Sequence, residues 1–129
     1  MEIELTTKAK NELVDITEQV RKVVKDSGKK EGICLVYSLH STAGVVINET
    51  EPGLTEDFLT LMGRLVPAGG AYKHNLVDTN ADAHLKVMLA GQSRTIPVIA
   101  GELMLGTWQR VLFFEADGPR SRKIAVVVL

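Results

Sequence analysis

The sequence predicts an α+β domain in which antiparallel sheets carry a few helices on the outside. Strand-like segments outnumber helical ones, and the last third of the chain shows strand patterns joined by short turns. Helices do not follow each strand, which argues against a doubly wound parallel sheet. A chain of 129 residues has the length of one domain, so residues 1–129 are expected to form a single unit.

The first half of the chain alternates strand and helix patterns. Apolar residues in alternation or in short runs mark strands, and apolar residues at helical spacing mark a helix. The expected elements are a strand over 3–7, a helix over 16–28, a strand over 32–39 with both faces buried, and a strand over 43–48. Asp15 or Thr17 can cap the helix start, and Gly28 can end the helix.

The second half begins with two helices and ends in strands. Pro52 starts a helix with one apolar face, residues 67–72 form a loop, and Asn80 can cap a short helix that Gly91 closes. The expected strands cover residues 95–100, 102–105, 108–115 and 123–129. The last strand is apolar at every position over 126–129, so either a second layer or a partner subunit covers it.

The composition excludes several classes of partner and location. A net charge of −1 argues against binding nucleic acid or an anionic membrane through broad electrostatic attraction. No basic start precedes an apolar segment at the N-terminus, and no apolar run approaches the ~20 residues that span a bilayer. A cytoplasmic protein is therefore expected. Cys34 lies in an apolar run and is expected to be a buried small hydrophobe rather than a reactive thiol.

The three histidines all lie in polar, turn-like or helix-start segments. His40 lies in the turn between two strands, His74 lies in a loop, and His84 lies near a helix start. Imidazole is the commonest metal ligand and the usual acid–base group near neutral pH. The sequence therefore predicts that the three histidines share a site. The alternative is that they are separate, hydrogen-bonded surface residues.

Five sequence blocks together resemble one family. The blocks are residues 40–49 (HSTAGVVINE), 82–85 (DAHL), 91–93 (GQS), 96–98 (IPV) and 101–109 (GELMLGTWQ). They resemble the YjbQ-like family, also described as secondary thiamine-phosphate synthases, over essentially the full length of the chain. The resemblance implies an antiparallel β-sandwich-like α+β domain with flanking helices, in a cytoplasmic protein that assembles as a homotrimer.

The resemblance also implies an activity and a set of histidines. The reaction joins hydroxymethylpyrimidine diphosphate to a thiazole phosphate and releases pyrophosphate, as a secondary activity. The family's histidines map onto His40, His74 and His84. Two positions depart from the family: Asp78 lies in the stretch where a Glu-Gly pair is common, and Arg110 replaces a frequent glycine and could crowd a pocket edge.

A divalent metal is the expected cofactor. Three neutral histidines would suit zinc and would leave a coordination position open for water or substrate. Alternatively, the histidines act without a metal as acid–base or phosphate-binding groups. Magnesium commonly assists the departure of pyrophosphate but prefers oxygen ligands. Its candidate ligands are Glu49, Asp78 and Asp82, although Asp82 could instead stabilise a helix dipole.

Hydroxyl and guanidinium groups at five positions are expected to bind the phosphates of a small phosphorylated molecule. The candidates are Ser41, Thr42, Ser93, Arg120 and Arg122. Alternatively, the two arginines form surface pairs with Asp117 in a solvated turn. Trp108 is expected to pack in the core or at an interface rather than to stack on a substrate ring.

Three hypotheses for the function follow. The first is a thiamine-phosphate synthase in which His40 and Glu49 are catalytic and His40, His74 and His84 form the polar site. The second is a trimeric metal- or phosphometabolite-binding protein without turnover. The third is a metal-dependent hydrolase of a phosphorylated substrate.

Overall fold

A computed structural model describes residues 1–129 and confirms the α+β class. The strands are β1 (Glu2–Thr6), β2 (Glu12–Asp15), β3 (Gly32–Ser38), β4 (Ala43–Asn48), β5 (Ser93–Ile99), β6 (Glu102–Leu103), β7 (Arg110–Glu115) and β8 (Ser121–Val128). The helices are α1 (Thr17–Ser27), α2 (Pro52–Leu65) and α3 (Ala81–Ala90), and a 3-10 helix spans Lys73–Leu76. None of these helices has the length and apolar composition needed to cross a bilayer.

The strands form two antiparallel sheets. The larger sheet has five strands in the order β1-β8-β3-β5-β6, and the smaller has three in the order β2-β7-β4. In the larger sheet Cys34 on β3 lies opposite Val128 on β8 and Ile96 on β5. The strands at the two ends of the chain are therefore paired side by side, β1 with β8.

The main core joins the two sheets and α1. Val36 from the larger sheet, Phe113 from the smaller sheet and Val20 from α1 are buried in one apolar cluster. The apolar positions of α1 recur every three or four residues, so one stripe of the helix faces this cluster. Because Phe113 is fully buried in this cluster, replacing it with alanine would cost about 3–5 kcal/mol.

A second, smaller core lies on the other face of the three-stranded sheet. Successive side chains of a strand point to opposite faces, so Phe113 joins the main core and Phe114 joins the second. Phe114 packs there against Met62 of α2 and Val87 of α3. The rings of Phe58 and Phe114 meet edge to face, with centroids 5.1 Å apart. Helices α2 and α3 are positioned by this apolar contact with the sheet.

The outer face of the five-stranded sheet is apolar and uncovered in the single chain. Ile33, Tyr37, Ile99 and Val127 share this face and are each more than 40% exposed, at 46%, 42%, 47% and 41%. The prediction that the strand over 32–39 is buried on both faces is therefore wrong for the isolated chain. Its inner face packs in the main core, whereas Ile33 and Tyr37 on its outer face are exposed.

Several element boundaries differ from those the sequence predicts. Strand β2 is absent from the predicted set because Leu13 and Val14 are too few to show alternation. Strands β5 and β8 each begin two residues earlier than predicted, and β7 begins two residues later. The reason for the late start is a turn in which the Gln109 amide donates to the Gly106 carbonyl and the Gln109 side chain accepts from the Gly106 amide. The same turn shortens β6 to two residues.

Candidate functional site

Two of the three histidines come together in the fold. His74 lies on the 3-10 helix and His84 lies in the first half of α3. Their rings meet edge to face, with centroids 4.8 Å apart and an angle of 81° between the ring planes. Tyr72, Leu85 and Met88 line the same surface pocket, which we call the histidine pocket. Within one chain, the histidines that share a site are therefore two, His74 and His84, and not the predicted three.

Hydrogen bonds fix the ring of His74. Asn80 Nδ2 donates to Asp117 Oδ2 at 3.0 Å, which leaves Asn80 Oδ1 as an acceptor 3.1 Å from His74 Nε2. The neutral ring of His74 therefore carries its proton on Nε2 and presents a lone pair on Nδ1. His84 contacts His74 through its ring and forms no side-chain hydrogen bond within the chain. Each ring thus offers a nitrogen to a ligand.

Asn80 plays a different part from the one the sequence predicts. It occupies the N-cap position of α3, but its side chain makes no capping hydrogen bond. The side chain instead joins His74 to Asp117. The local sequence therefore predicts the helix start correctly, while the side chain of Asn80 serves the histidine pocket.

His40 lies outside the histidine pocket. It follows β3, and its Nε2 accepts a hydrogen bond of 2.8 Å from the backbone amide of Lys123. Because Nε2 accepts, the neutral ring carries its proton on Nδ1 and acts there as a donor. Burial lowers the pKa of His40, and the charge of Arg122 lowers it further against the opposing effect of Glu115. His40 is thus held in its neutral form.

The expected three-histidine metal site does not form within one chain. No group of three His, Cys, Asp or Glu side chains in the chain could hold a metal ion. His40 instead borders a shallow surface depression with Thr6, Ser121, Arg122 and Lys123, which we call the His40 depression. The lone pair that His40 could offer a metal is already engaged with the Lys123 amide.

Arg122 is buried in an ion pair rather than held in a solvated turn. Its Nε donates to Glu115 Oε1 at 2.8 Å, and its Nη2 donates to Glu115 Oε2 and to Thr42 Oγ1. Only Nη1 remains without a partner in the chain, so Arg122 has one nitrogen left for a phosphate. Thr42 is also buried, and its hydroxyl oxygen accepts a hydrogen bond of 2.9 Å from Arg122 Nη2. Arg120 instead forms the surface ion pair that was the alternative to phosphate binding, since its Nη2 lies 3.1 Å from Asp117 Oδ2.

The other candidate phosphate and catalytic residues are dispersed. Ser41 is exposed in the turn after His40, and Ser93 begins β5. Glu49 lines an apolar pocket between α2 and the three-stranded sheet, which we call the α2 pocket. Glu49 is thus placed in a different pocket from each of the histidines.

Asp82 is paired with two lysines. Its Oδ2 accepts from Lys86 at 3.2 Å and from Lys10 at 3.3 Å, and its side chain is fully buried. Burial raises the pKa of Asp82, but the hydrogen bonds and charges of Lys86 and Lys10 outweigh it, so the pKa lies below its ordinary value. A carboxylate enclosed by two ammonium groups does not suit magnesium. Asp78 lies elsewhere, exposed, and accepts from the Thr79 amide.

Three further residues have clear positions. Trp108 is 71% exposed, so it does not pack in the core of the single chain. Arg110 pairs with Asp15 at 2.8 Å and with Glu18 at 3.3 Å, next to α1 rather than at any of the three pockets. Cys34 is buried as expected, and burial raises the pKa of its thiol to about 11, which keeps it protonated.

Sequence reasoning missed the residue that links these polar groups. Glu115 is fully buried at the end of β7 and accepts hydrogen bonds from Arg122, from the Thr7 hydroxyl and from the Asp117 amide. A signal is present in the sequence, since a glutamate directly follows an apolar run that ends in two phenylalanines. A buried charge requires a partner, and Arg120 and Arg122 are the nearest cationic residues that follow Glu115 in the chain. In the fold Arg122 is the one that pairs with it.

The chain is similar over its full length to proteins of one family. The family model described as "UPF0047 protein YjbQ-like" matches residues 1–129. A UPF0047 protein of Archaeoglobus fulgidus is 51% identical over 129 residues, which cover 100% of both chains. The UPF0047 protein YugU of Bacillus subtilis is 36% identical over 124 residues, which cover 93% of this chain and 91% of that protein.

Solved structures give the same result at the level of the fold. A YbjQ-like protein of unknown function from Sulfolobus solfataricus has a TM-score of 0.97 and 46% identity, covering 99% of this chain and 94% of that one. A conserved hypothetical protein from Thermus thermophilus has a TM-score of 0.89 and 30% identity, covering 100% of this chain and 99% of that one. The chain belongs to the UPF0047 family of YjbQ-like proteins.

Proposed function

We propose that the chain is a small cytoplasmic, homotrimeric enzyme with thiamine-phosphate synthase activity. The paired rings of His74 and His84 are the observation that carries this function, because they present two free nitrogens in one surface pocket. The family resemblance supplies the reaction, in which hydroxymethylpyrimidine diphosphate and a thiazole phosphate give thiamine phosphate and pyrophosphate.

The histidine pocket suits a transition metal better than magnesium. His74 Nδ1 and a nitrogen of His84 are imidazole ligands, which zinc prefers and magnesium does not. Two histidines leave the remaining coordination positions to ligands from outside the chain. When bound, zinc would neutralise negative charge that develops on a departing phosphate oxygen.

The His40 depression supplies donors for a phosphate group. His40 offers its Nδ1 proton, Arg122 its free Nη1, and Ser121 its hydroxyl. In the reaction the bond between the pyrimidine methylene carbon and the diphosphate oxygen breaks, and its electron pair leaves with pyrophosphate. The thiazole nitrogen then forms the new bond to that carbon. The residues of the chain contribute by positioning the substrates and by stabilising the charge of the leaving group.

The homotrimer rests on the uncovered face of the five-stranded sheet. A sheet face that carries Ile33, Tyr37, Ile99 and Val127 in one patch is typical of a surface that a protein partner covers. A second copy of the chain is the simplest partner, since most oligomers of soluble proteins are symmetric assemblies of one chain. Trp108, exposed in the single chain, would pack across such an interface.

The test of the synthase function is turnover with both substrates. The purified protein is expected to form thiamine phosphate and pyrophosphate in equal amounts, and His84→Ala is expected to lower the rate about 100-fold or more with the fold intact. Lys22→Ala, an exposed change on α1, is the matched control and should leave the rate unchanged. Equal turnover by the His84 variant, or no product above the uncatalysed rate, would exclude this function.

The unpaired nitrogens of the histidine pocket also favour a second candidate function. The same pocket could hold a metal or a phosphorylated metabolite without chemistry of its own. That function predicts stoichiometric binding that His84→Ala abolishes, with no product from either substrate. Phosphate release from a panel of phosphorylated substrates would instead identify a metal-dependent hydrolase.

A further inference from the structure

Asp117 is connected to the histidine pocket through one intervening side chain. It lies in the turn between β7 and β8, and its side chain is only 17% exposed. Its Oδ2 accepts from Asn80 Nδ2 at 3.0 Å, and Asn80 Oδ1 lies 3.1 Å from His74 Nε2. Asp117 can therefore act on the ring of His74 only through the amide group of Asn80.

The turn that carries Asp117 is held firmly in place. The Asp117 amide donates to Glu115 Oε2 at 3.1 Å. Gly118 is packed so closely that a Cβ atom there would overlap the carbonyl oxygen of Ala9. Arg120 donates to the Asp117 carbonyl oxygen through Nε at 2.8 Å and to Asp117 Oδ2 through Nη2 at 3.1 Å. The carboxylate of Asp117 therefore offers Asn80 an acceptor at a fixed position.

Asn80 is available for this contact because another residue caps the helix. Asn80 occupies the N-cap position of α3, yet its side chain makes no capping hydrogen bond. Asn75 Oδ1 instead accepts from the backbone amide of Ala81 at 3.1 Å, at the first residue of α3. One of the free amides at the helix start is thus satisfied without Asn80. The Asn80 side chain is left to connect Asp117 with His74.

The orientation of the Asn80 amide determines which nitrogen of His74 carries the proton. An asparagine amide could face either way, but a carboxylate only accepts hydrogen bonds, so Asp117 requires Nδ2 of Asn80 on its side. Oδ1 of Asn80 then faces His74 and requires a proton on Nε2. With the amide reversed, Nδ2 would face Nε2, and the neutral ring would carry its proton on Nδ1 instead.

We infer that Asp117 is a positioning residue that sets the tautomer of His74 through Asn80. With the proton held on Nε2, the Nδ1 lone pair is left for a metal ion. Histidines that bind metals usually donate their other N–H to an oxygen acceptor, and the loss of such a partner typically weakens metal binding 10–100-fold. The metal part of this inference rests on the proposed function, whereas the tautomer of His74 does not depend on it.

Nuclear magnetic resonance of the ring nitrogens in the metal-free protein tests the tautomer. At about pH 8.5 histidine rings are ordinarily neutral. The unmodified protein should show His74 in the Nε2–H form alone. Asp117→Ala leaves the Asn80 amide free to reverse, so the Nδ1–H form should appear beside it. The matched control is Arg120→Met, which removes the neighbouring ion pair but keeps the acceptor for Asn80, and it should show the Nε2–H form alone.

Exchanging the two side chains provides a rescue. In the double variant Asn80→Asp, Asp117→Asn, the new amide donates to the new carboxylate, which still accepts from His74 Nε2. The Nε2–H form alone should therefore return. Zinc affinity, measured by calorimetry, should fall about 10–100-fold in Asp117→Ala and recover in the double variant.

The tautomer and the zinc affinity separate this inference from the proposed function. The Nε2–H form alone in Asp117→Ala, a mixture in the double variant, or a zinc affinity that does not follow the tautomer would overturn the inference. Absence of zinc binding by the unmodified protein would remove the metal from the proposed function, while the tautomers of the metal-free protein would still decide whether Asp117 positions His74.

Discussion

Arg122 and Glu115 form a buried ion pair between neighbouring parts of the two sheets. The Arg122 side chain is 4% exposed and that of Glu115 is fully buried. Glu115 lies on β7 of the smaller sheet and Arg122 on β8 of the larger, so the pair joins the sheets at the edge of the main core. Burial raises the pKa of Glu115, but hydrogen bonds from Arg122, Thr7 and the Asp117 amide outweigh it and hold the pKa below its ordinary value.

Removing one partner of this pair should strongly destabilise the fold. Arg122→Met leaves the carboxylate of Glu115 buried without a counter-charge, and we expect a loss of about 3–5 kcal/mol in the free energy of unfolding. Urea unfolding followed by circular dichroism measures this change. The matched control is Arg120→Met, whose half-exposed pair with Asp117 should cost less than about 1 kcal/mol. Similar costs for the two variants would show that the buried pair is not a structural link between the sheets.

The ring of His40 should still be mostly neutral at pH 6.5 in the folded protein. Its folded-state pKa lies below the ordinary value of 6.5 because of burial and the charge of Arg122. The unfolded chain therefore binds the proton first, so the contribution of His40 to stability is complete above pH 6.5 and is lost as pH falls through the folded pKa. The ring nitrogen signals of the neutral form, recorded above pH 6.5, should show the proton on Nδ1.

A variant separates this effect from other acid-sensitive groups. His40→Gln should remove the part of the pH dependence of stability that falls just below pH 6.5, and His74→Gln should retain it. A proton on Nε2 of His40 in the folded protein contradicts the hydrogen bond from the Lys123 amide. An unchanged pH profile in His40→Gln contradicts burial and the charge of Arg122 as the source of this pH dependence.

Placing a charge on the uncovered sheet face should dissociate the proposed trimer. Val127→Lys puts an ammonium group on the β8 side of the apolar patch, where an interface would bury it without a partner. We expect a single mass of three chains for the unmodified protein and a monomer for the variant in sedimentation equilibrium. Leu61→Lys, at an apolar position of α2 that is somewhat more exposed than Val127, is the control and should remain trimeric. Monomeric unmodified protein would contradict the assembly.

The elements that local patterns determine could be predicted from the sequence. The apolar spacing of Val20, Val23 and Val24 and the left-handed Gly28 define α1 without any tertiary information. The short β2 could not be predicted in this way, because its place in the sheet is set by pairing with β7 and not by its own composition.

The candidate site could likewise be predicted only in part from the sequence. The neighbouring positions of His74 and Asn80 bring both into one region, but only the fold places the ring of His84 against that of His74. The engagement of His40 Nε2 depends on Lys123, which lies 83 positions along the chain. Residue type alone therefore predicted a site of three histidines, whereas the single chain pairs only His74 with His84. His40 is absent from the pair, and its Nε2 accepts from the Lys123 amide instead.

Metal analysis of the purified, untagged protein tests the histidine pocket most directly. We expect about one zinc or other transition ion per chain. The metal should be lost in His74→Ala and in His84→Ala. It should be retained in His40→Gln, because the Nε2 lone pair of His40 is engaged by the Lys123 amide and does not bind the metal. Unmodified protein that holds no metal even after reconstitution, or loss of the metal in His40→Gln, would contradict the pair of His74 and His84 as the metal-binding unit of the chain.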